Sequence, residues 1–505
     1  MVRRLTRRHS NDTLATEGIV VSPLRKSSIV RHSDNLHRHV PGSYGELLAI
    51  AFPLILSTSS ITVMHVIDRI FLSWYSPSAL AASLAAGATA FVCVSLFLGT
   101  ASYVSTFVSQ YDGAGRPERI GATVWQGVYF CLLAIVVMAA LSLGADPLFR
   151  FVGHGHELQR QEAVYFRVML LGGGAPILSA ALSSFYSGRG RTWILAWVNL
   201  GGAALNAMLD YCWIFGKYGF PEWGILGAAL ATVLAEWTKV AVYFVLFLLP
   251  NNRRAYATSA AWRPDPDLFR RLLRYGVPSG VQFMVDILAF TLFVLFLGRI
   301  GQAELAASTV AFSINTLVFL PMIGMAMATS VLVGRHLGAN RPDAAARTTS
   351  AAFRLATAFM ATFSLILVLW PDVFLSAFAP RDSGASFEQI AAVGRNLLYF
   401  VAGYSLVDAA NIVFSAALKG AGDTRYVVWM MLWMATIVLV APVYIACVRL
   451  GQGVYTAWAI FMLYVVALAL AYWLRYRAGH WRSMRVIEHI PAPGAALAEG
   501  PVVEA

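Results

Sequence analysis

Charge is scarce in this chain. Of its 505 residues only 13% are Asp, Glu, Lys or Arg, against 58% hydrophobic, and the mean hydropathy is +0.64. A soluble domain of average usage carries roughly 25% charged residues, so a water-facing globule is excluded and an integral membrane protein is indicated. Cysteine is scarcer still. Cys93, Cys131, Cys212 and Cys447 each fall inside an apolar run, with no CxxC pair and no histidine at metal spacing. Neither a disulfide framework nor a zinc site is indicated, and the four read as small core residues. No GxxxxGK[ST] stretch occurs, which leaves an ATP-driven pump without support. No period-two alternation competes for a membrane barrel. Acids are outnumbered, 26 against 38 basic residues, for a formal charge of +12. The basic residues form no patch, so no nucleic-acid partner is expected; they are spread over alternate loops.

What the chain does have is a repeat. Residues 53 to 117 reappear as residues 278 to 342 at a constant offset of 225, opening on Pro53 and Pro278. Leu80-Ala81-Ala82-Ser83 falls on Leu305-Ala306-Ala307-Ser308, and Gly113-Ala114 with Arg116-Pro117 falls on Gly338-Ala339 with Arg341-Pro342. A second echo, at an offset of 232, sets Ser183, Gly188, Gly190 and Thr192 on Ser415, Gly420, Gly422 and Thr424. The chain is two tandem copies of one unit.

Twelve apolar stretches follow a polar start, at about 46–75, 79–110, 122–144, 157–187, 192–216, 222–249, 268–299, 304–336, 344–370, 387–419, 424–448 and 451–476. Each is long enough for the roughly 20 residues that span a bilayer as a helix. The fold class expected is therefore all-α and polytopic, twelve transmembrane helices in two six-helix lobes. An even number of spans per copy gives both lobes one orientation, with a pseudo-two-fold axis along the membrane normal. Arg and Lys crowd the loops on one side, among them Arg116, Arg119, Arg253, Arg254, Arg270, Arg271, Arg335, Arg341, Arg475 and Arg477. The positive-inside rule puts that side, and both termini, in the cytoplasm. The expected divisions are a disordered basic tail over 1–42, an N-terminal lobe over 43–250, a cytoplasmic linker over 251–267, a C-terminal lobe over 268–478 and a disordered tail over 479–505. A plasma (inner) membrane location follows, with the lipid bilayer as the constant partner, and a monomer is expected.

Carboxylates inside spans are costly, about 2.5–3.5 kcal/mol near the centre, and mark ion or substrate paths. Four stand out: Asp68 in the first span, Asp210 in the fifth, Asp286 in the seventh and Asp408 in the tenth. At about 1.5 Å of rise per residue, Asp68 and Asp210 sit at comparable depth in the outer half of the membrane. Asn206 and Asp210, four apart, share a helix face. Such oxygens suit a hard cation, and paired carboxylates also exchange protons. His65, one turn before Asp68, is a candidate proton relay or a satisfied core histidine. For each acid the plain alternative is a buried group capped by a neighbouring hydroxyl. Glu236 and Lys239 read as a simple ion pair.

The run NLGGAALNAMLDYCWIFGKYGFPEWGILGAALAT (199–232), the segment LPMIGMAMATSVLVGRHLGANRPDAA in the eighth span and the paired glycine-rich turns resemble the multidrug and toxic compound extrusion (MATE) family, over residues 44 to 478. The resemblance implies two V-shaped lobes and export of organic cations or drugs against an inward flow of Na⁺ or H⁺, with no cofactor. It places Asp68, Asn206, Asp210 and Thr232 in the family's cation- or proton-binding set, Asp68 and Asp210 being metal ligands only if the ion is Na⁺. It also places Asp286 and Asp408 where some branches carry acids of the C-terminal lobe. Ser183, Ser73 and Arg191 depart from the common pattern, which leaves H⁺ and Na⁺ both open. The alternatives are a flippase for lipid-linked precursors, against which the few intramembrane arginines speak, and a polytopic enzyme or a receptor. No His/Asp/Glu cluster at acid–base spacing supports an enzyme.

Overall fold

The computed structural model describes residues 39–378 and 385–488. The parts of the expected tails at 1–38 and 489–505 lie outside the described residues. Twelve long helices carry the fold: α1 Tyr44–Tyr75, α2 Pro77–Gly113, α3 Pro117–Ser142, α4 His156–Ser187, α5 Trp193–Ile214, α6 Ile225–Phe247, α7 Pro266–Leu297, α8 Gln302–Gly338, α9 Pro342–Leu369, α10 Ala385–Ala421, α11 Thr424–Arg449 and α12 Val454–Arg477. Eleven are long and apolar enough to cross a membrane. The other, α5, has 22 residues, sufficient for the hydrocarbon, but carries Asn199, Asn206 and Asp210. The ends agree with the sequence expectation to within a few residues.

Local signals set these ends. Ser43 caps α1 by accepting from Glu46 N–H at 3.3 Å, and Glu46 Oε2 reaches back to accept from Gly42 N–H at 2.6 Å, one residue before the cap. Pro77, Pro117, Pro266 and Pro342 each open a helix, where the missing N–H is not needed. Pro53 and Pro278 sit inside α1 and α7 and remove one internal hydrogen bond from each. The second half of α11 is wound as π-helix over Met434–Val440 and Tyr444–Arg449, flanking Pro442.

Three buried clusters divide the interior: one within the first half, around Phe130, Phe166 and Leu170; one within the second, around Phe293, Trp458 and Leu468; and one that belongs to both, where Leu47, Phe107 and Phe185 meet Leu272, Met325 and Val413. The seam is therefore apolar, and it follows the repeat. Gly99 approaches Gly280 so closely that an added Cβ would lie 2.9 Å from its Cα, and Gly324 approaches Ile55 so that one would lie 2.7 Å from its nitrogen. The two contacts are the same contact, exchanged between the copies. Among the described residues, the glycines that approach the other half this closely lie toward the face that carries both Gly42 and Glu488.

The linker after α6 is not an open loop. It forms a short helix Pro250–Tyr256 and then lies on α3, where Trp125 Nε1 donates to the Thr258 carbonyl at 2.7 Å and Tyr129 donates to that of Trp262. Nor is 479–505 wholly a loose tail. Residues 480–488 are packed: His480–Ser483 make a 3-10 turn, and Trp481, Val486 and Ile487 are buried. The reason is a set of partners from distant loops, which composition does not reveal.

Candidate functional site

Asp68 lies on α1, Asn206 and Asp210 on α5 and Thr232 on α6, and the structure brings all four together. Asn206 and Asp210 are fully buried, and Asp68 and Thr232 nearly so. Thr232 Oγ1 joins the others: Asn206 Nδ2 donates to it at 3.4 Å, and it stands 3.5 Å from Asp68 Oδ2 and 3.1 Å from the Ala228 carbonyl. Since α5 keeps 3.6 residues per turn, the i, i+4 spacing puts Asn206 and Asp210 on the face turned to α1 and α6. The Asp210 and Asp68 carboxylates lie in one another's field.

The donor count is short. Asp68 Oδ1, Asn206 Oδ1 and both carboxylate oxygens of Asp210 are buried and accept no hydrogen bond. Buried acceptors are ordinarily satisfied, and a carboxylate can only accept unless it is protonated. A group of oxygens with too few donors is complementary to a proton or to a hard monovalent cation held by carboxylate, amide and hydroxyl oxygens. Among the described residues no three His, Cys, Asp or Glu converge as a metal centre.

His65 is half-exposed, with Nδ1 3.7 Å from Asp68 Oδ2. Sequence reasoning missed two neighbours. Tyr165 of α4 is buried in the field of both Asp68 and Asp210. Asn199 Nδ2 donates to Ser57 Oγ at 2.6 Å, a polar tie between α5 and α1 two turns nearer the terminal face. The i, i+7 spacing of Asn199 and Asn206 was the available signal. Glu236 and Lys239 form the simple pair expected, 2.5 Å apart and buried.

The second-half acids are separate from this group. Asp286 on α7 and Asp408 on α10 interact with one another, and Lys419 interacts with Asp286. Asn411 Nδ2 donates to Asp408 Oδ1 at 3.0 Å, and Lys419 Nζ donates to Gln282 Oε1 at 3.2 Å. Here a cation is already built in.

The sequence matches the MatE family over residues 53–212 and again over 278–445, the two matches opening on the two prolines that open the repeat. It is 30% identical over 378 residues to "Multidrug resistance protein NorM" of Burkholderia vietnamiensis, covering 74% of this chain and 81% of that one. Over 477 residues it is 26% identical to "Probable multidrug resistance protein NorM" of Rhizobium meliloti, covering 93% and 99%. Among solved structures it resembles a MOP superfamily transporter from Pyrococcus furiosus, with a TM-score of 0.80 at 20% identity over 89% of this chain and 98% of the other. An outward-facing multidrug resistance MATE family transporter gives a TM-score of 0.77 at 20% identity over 88% and 98%.

Proposed function

The chain belongs to the MatE family of multi-pass membrane transporters, and on that premise we propose that it is a secondary antiporter exporting small organic cations against an inward flow of H⁺ or Na⁺ through Asp68, Asn206, Asp210 and Thr232. It is a multidrug efflux transporter, not an enzyme. The observation that carries the coupling assignment is the set of four buried acceptor atoms with no donor, drawn from two helices of one half.

A proton or Na⁺ entering that group supplies the missing positive charge. With it bound, Asp68 and Asp210 no longer repel, and α1 is free to settle against α5 and α6. Without it, α1 is pushed away, starting from the weakened turn at Pro53. The ion shifts the two-state equilibrium only by its differential affinity for the two arrangements, so the group has to be better formed in one of them. His65 passes the proton between Asp68 and the outer aqueous side. Asp286, Asp408 and Lys419 act on the substrate side of the cycle, where a built-in cation lets the acids switch partners.

The arginine-rich loops lie on the face that carries Gly42 and Glu488, which supports a cytoplasmic location for that face in a plasma (inner) membrane. The protein works as a monomer, since each half already has the other as its partner. The test is efflux of a cationic dye from proteoliposomes under separately imposed pH and Na⁺ gradients. Transport under one gradient and its loss in Asp68→Asn and Asp210→Asn are expected; full transport in both variants overturns the coupling assignment.

A further inference from the structure

After α12 the chain turns through His480–Ser483 and runs across the seam between the halves. It is first anchored on its own half. Trp481 stacks on Tyr476 with ring centroids 4.9 Å apart. Arg482 Nη1 donates to Asp343 Oδ1 at 3.3 Å, and Arg485 Nη2 donates to Asn340 Oδ1 at 3.3 Å. Then it crosses. Val486 N–H donates to Gln110 Oε1 at 2.9 Å, and Gln110 Nε2 donates to the Gly420 carbonyl at 3.0 Å. A first-half side chain is thus gripped from two sides by the second half. Val486 and Ile487 are buried in the seam cluster.

Glu488 ends the run. Its carboxylate accepts from Tyr111 Oη at 2.9 Å, Arg116 Nη1 at 3.3 Å and Arg119 Nη2 at 2.9 Å, all in the first half, and from Arg271 Nη2 in α7 of the second. Asp265, which caps α7, pairs with Arg119 at 3.1 Å beside it. One carboxylate therefore draws together two loops that have to separate if this face is to open. Charge-assisted bonds of this kind are the stronger ones. Yet the Glu488 side chain is 34% exposed, and those of Arg116 and Arg119 are 34% and 26% exposed. Water and salt reach the carboxylate and its arginines, although not Tyr111, so the ion pairs of the clasp are open to competition from solution.

We propose that residues 484–488 are a releasable strap holding the two halves closed on the terminal face, with Glu488 as its clasp and Gln110 as its second hook. Its strength sets how often that face opens, an inference that rests on the alternating movement of the halves proposed above.

The experiment reads accessibility rather than flux. Ser109 is fully buried on α2 against Gly334 across the seam. A Ser109→Cys chain in vesicles is labelled from the terminal face with an impermeant maleimide, over the background of the four native cysteines. Labelling is expected to be slow in that chain and to rise by about tenfold, the factor set by each 1.4 kcal/mol, when Glu488→Gln is added. Gln110→Leu, which cuts the other hook, is expected to give a similar rise, and raised salt is expected to speed labelling of the otherwise unaltered chain. Rates that stay within about twofold, well under 1 kcal/mol, in both variants and at every salt concentration overturn the strap. Dye efflux is measured in the same vesicles: faster labelling in a chain that moves no dye supports the strap and removes the antiporter reading alone.

Discussion

Gly113 and Gly338 hold the same place in the two halves, and each lies against the backbone of the other half: Gly113 on the Arg335 carbonyl, Gly338 on that of Gln110. Gln110 and Arg335 are themselves repeat equivalents. The closest point of the seam is thus a symmetric crossing, with no room for a methyl group on either side.

A Cβ at Gly338 forces the crossing apart. Overpacking of this kind costs about 1–3 kcal/mol, so Gly338→Ala is expected to lower the thermal midpoint and to raise labelling at Ser109→Cys, with Gly113→Ala doing the same. Gly201→Ala, where a Cβ meets nothing within 4 Å inside α5, is the control and should be neutral to slightly stabilising.

Thr232 carries one hydroxyl that touches both Asn206 and Asp68. Thr232→Val keeps the shape and removes it. With a net hydrogen bond worth about 0.5–1.5 kcal/mol, the ion concentration for half-maximal efflux should rise by roughly threefold to tenfold. The rate at saturating gradient should be kept. Thr232→Ser should restore the affinity; failure to do so argues against a hydroxyl ligand.

Partial burial raises the Glu488 carboxyl, but hydrogen bonds from Arg271 and Tyr111 outweigh it and hold the group down to about 2 from an ordinary 4.5. A depressed acid stabilises its contacts fully above its ordinary value and loses them as pH falls through the depressed one. The ratio of labelling at Ser109→Cys with and without Glu488→Gln, in which the pH dependence of the thiolate cancels, should therefore be constant between pH 5 and 8 and shrink only as pH falls below about 4. Any change of flux between pH 5 and 8 then belongs to other groups, and a clasp-dependent change in that window contradicts the assignment.

Arg189 sits 3.7 Å from the Phe185 ring centroid and 4.2 Å from that of Tyr256, and its Nε donates to the Phe185 carbonyl at 2.7 Å. It pins the linker helix to α4. Lysine lacks the planar stacking surface, so Arg189→Lys is expected to loosen that helix by about 1–2 kcal/mol. Limited trypsin digestion should then cut several-fold faster at Arg253 and Arg254.

The spans, the repeat and the first-half acids were legible in the sequence because each is written locally, as an apolar run, a fixed offset or a helical spacing. Depth set Asp68 beside Asp210, helical spacing added Asn206, and Thr232 came only from the family resemblance. Tyr165 was not legible. One aromatic among many in apolar helices is distinguished only by which helix face meets α1 and α5. The segment at 484–488 was invisible for the opposite reason: it is short and has no period of its own, and its order comes from Gln110, Arg116, Arg119 and Arg271, far away in the chain. The π-wound part of α11 left no mark beyond Pro442.

The exchanged contacts of Gly99 with Gly280 and of Gly324 with Ile55 have the form of an isologous interface, in which a surface meets its own copy. A six-helix unit bearing that surface has no need of a tether to find its mate. The two halves expressed as separate chains should therefore assemble into one complex in a membrane. Substitutions in one half at these positions should be rescued most readily by changes at the contacting position of the other half, those at Gly99 by changes at Gly280 and those at Gly324 by changes at Ile55.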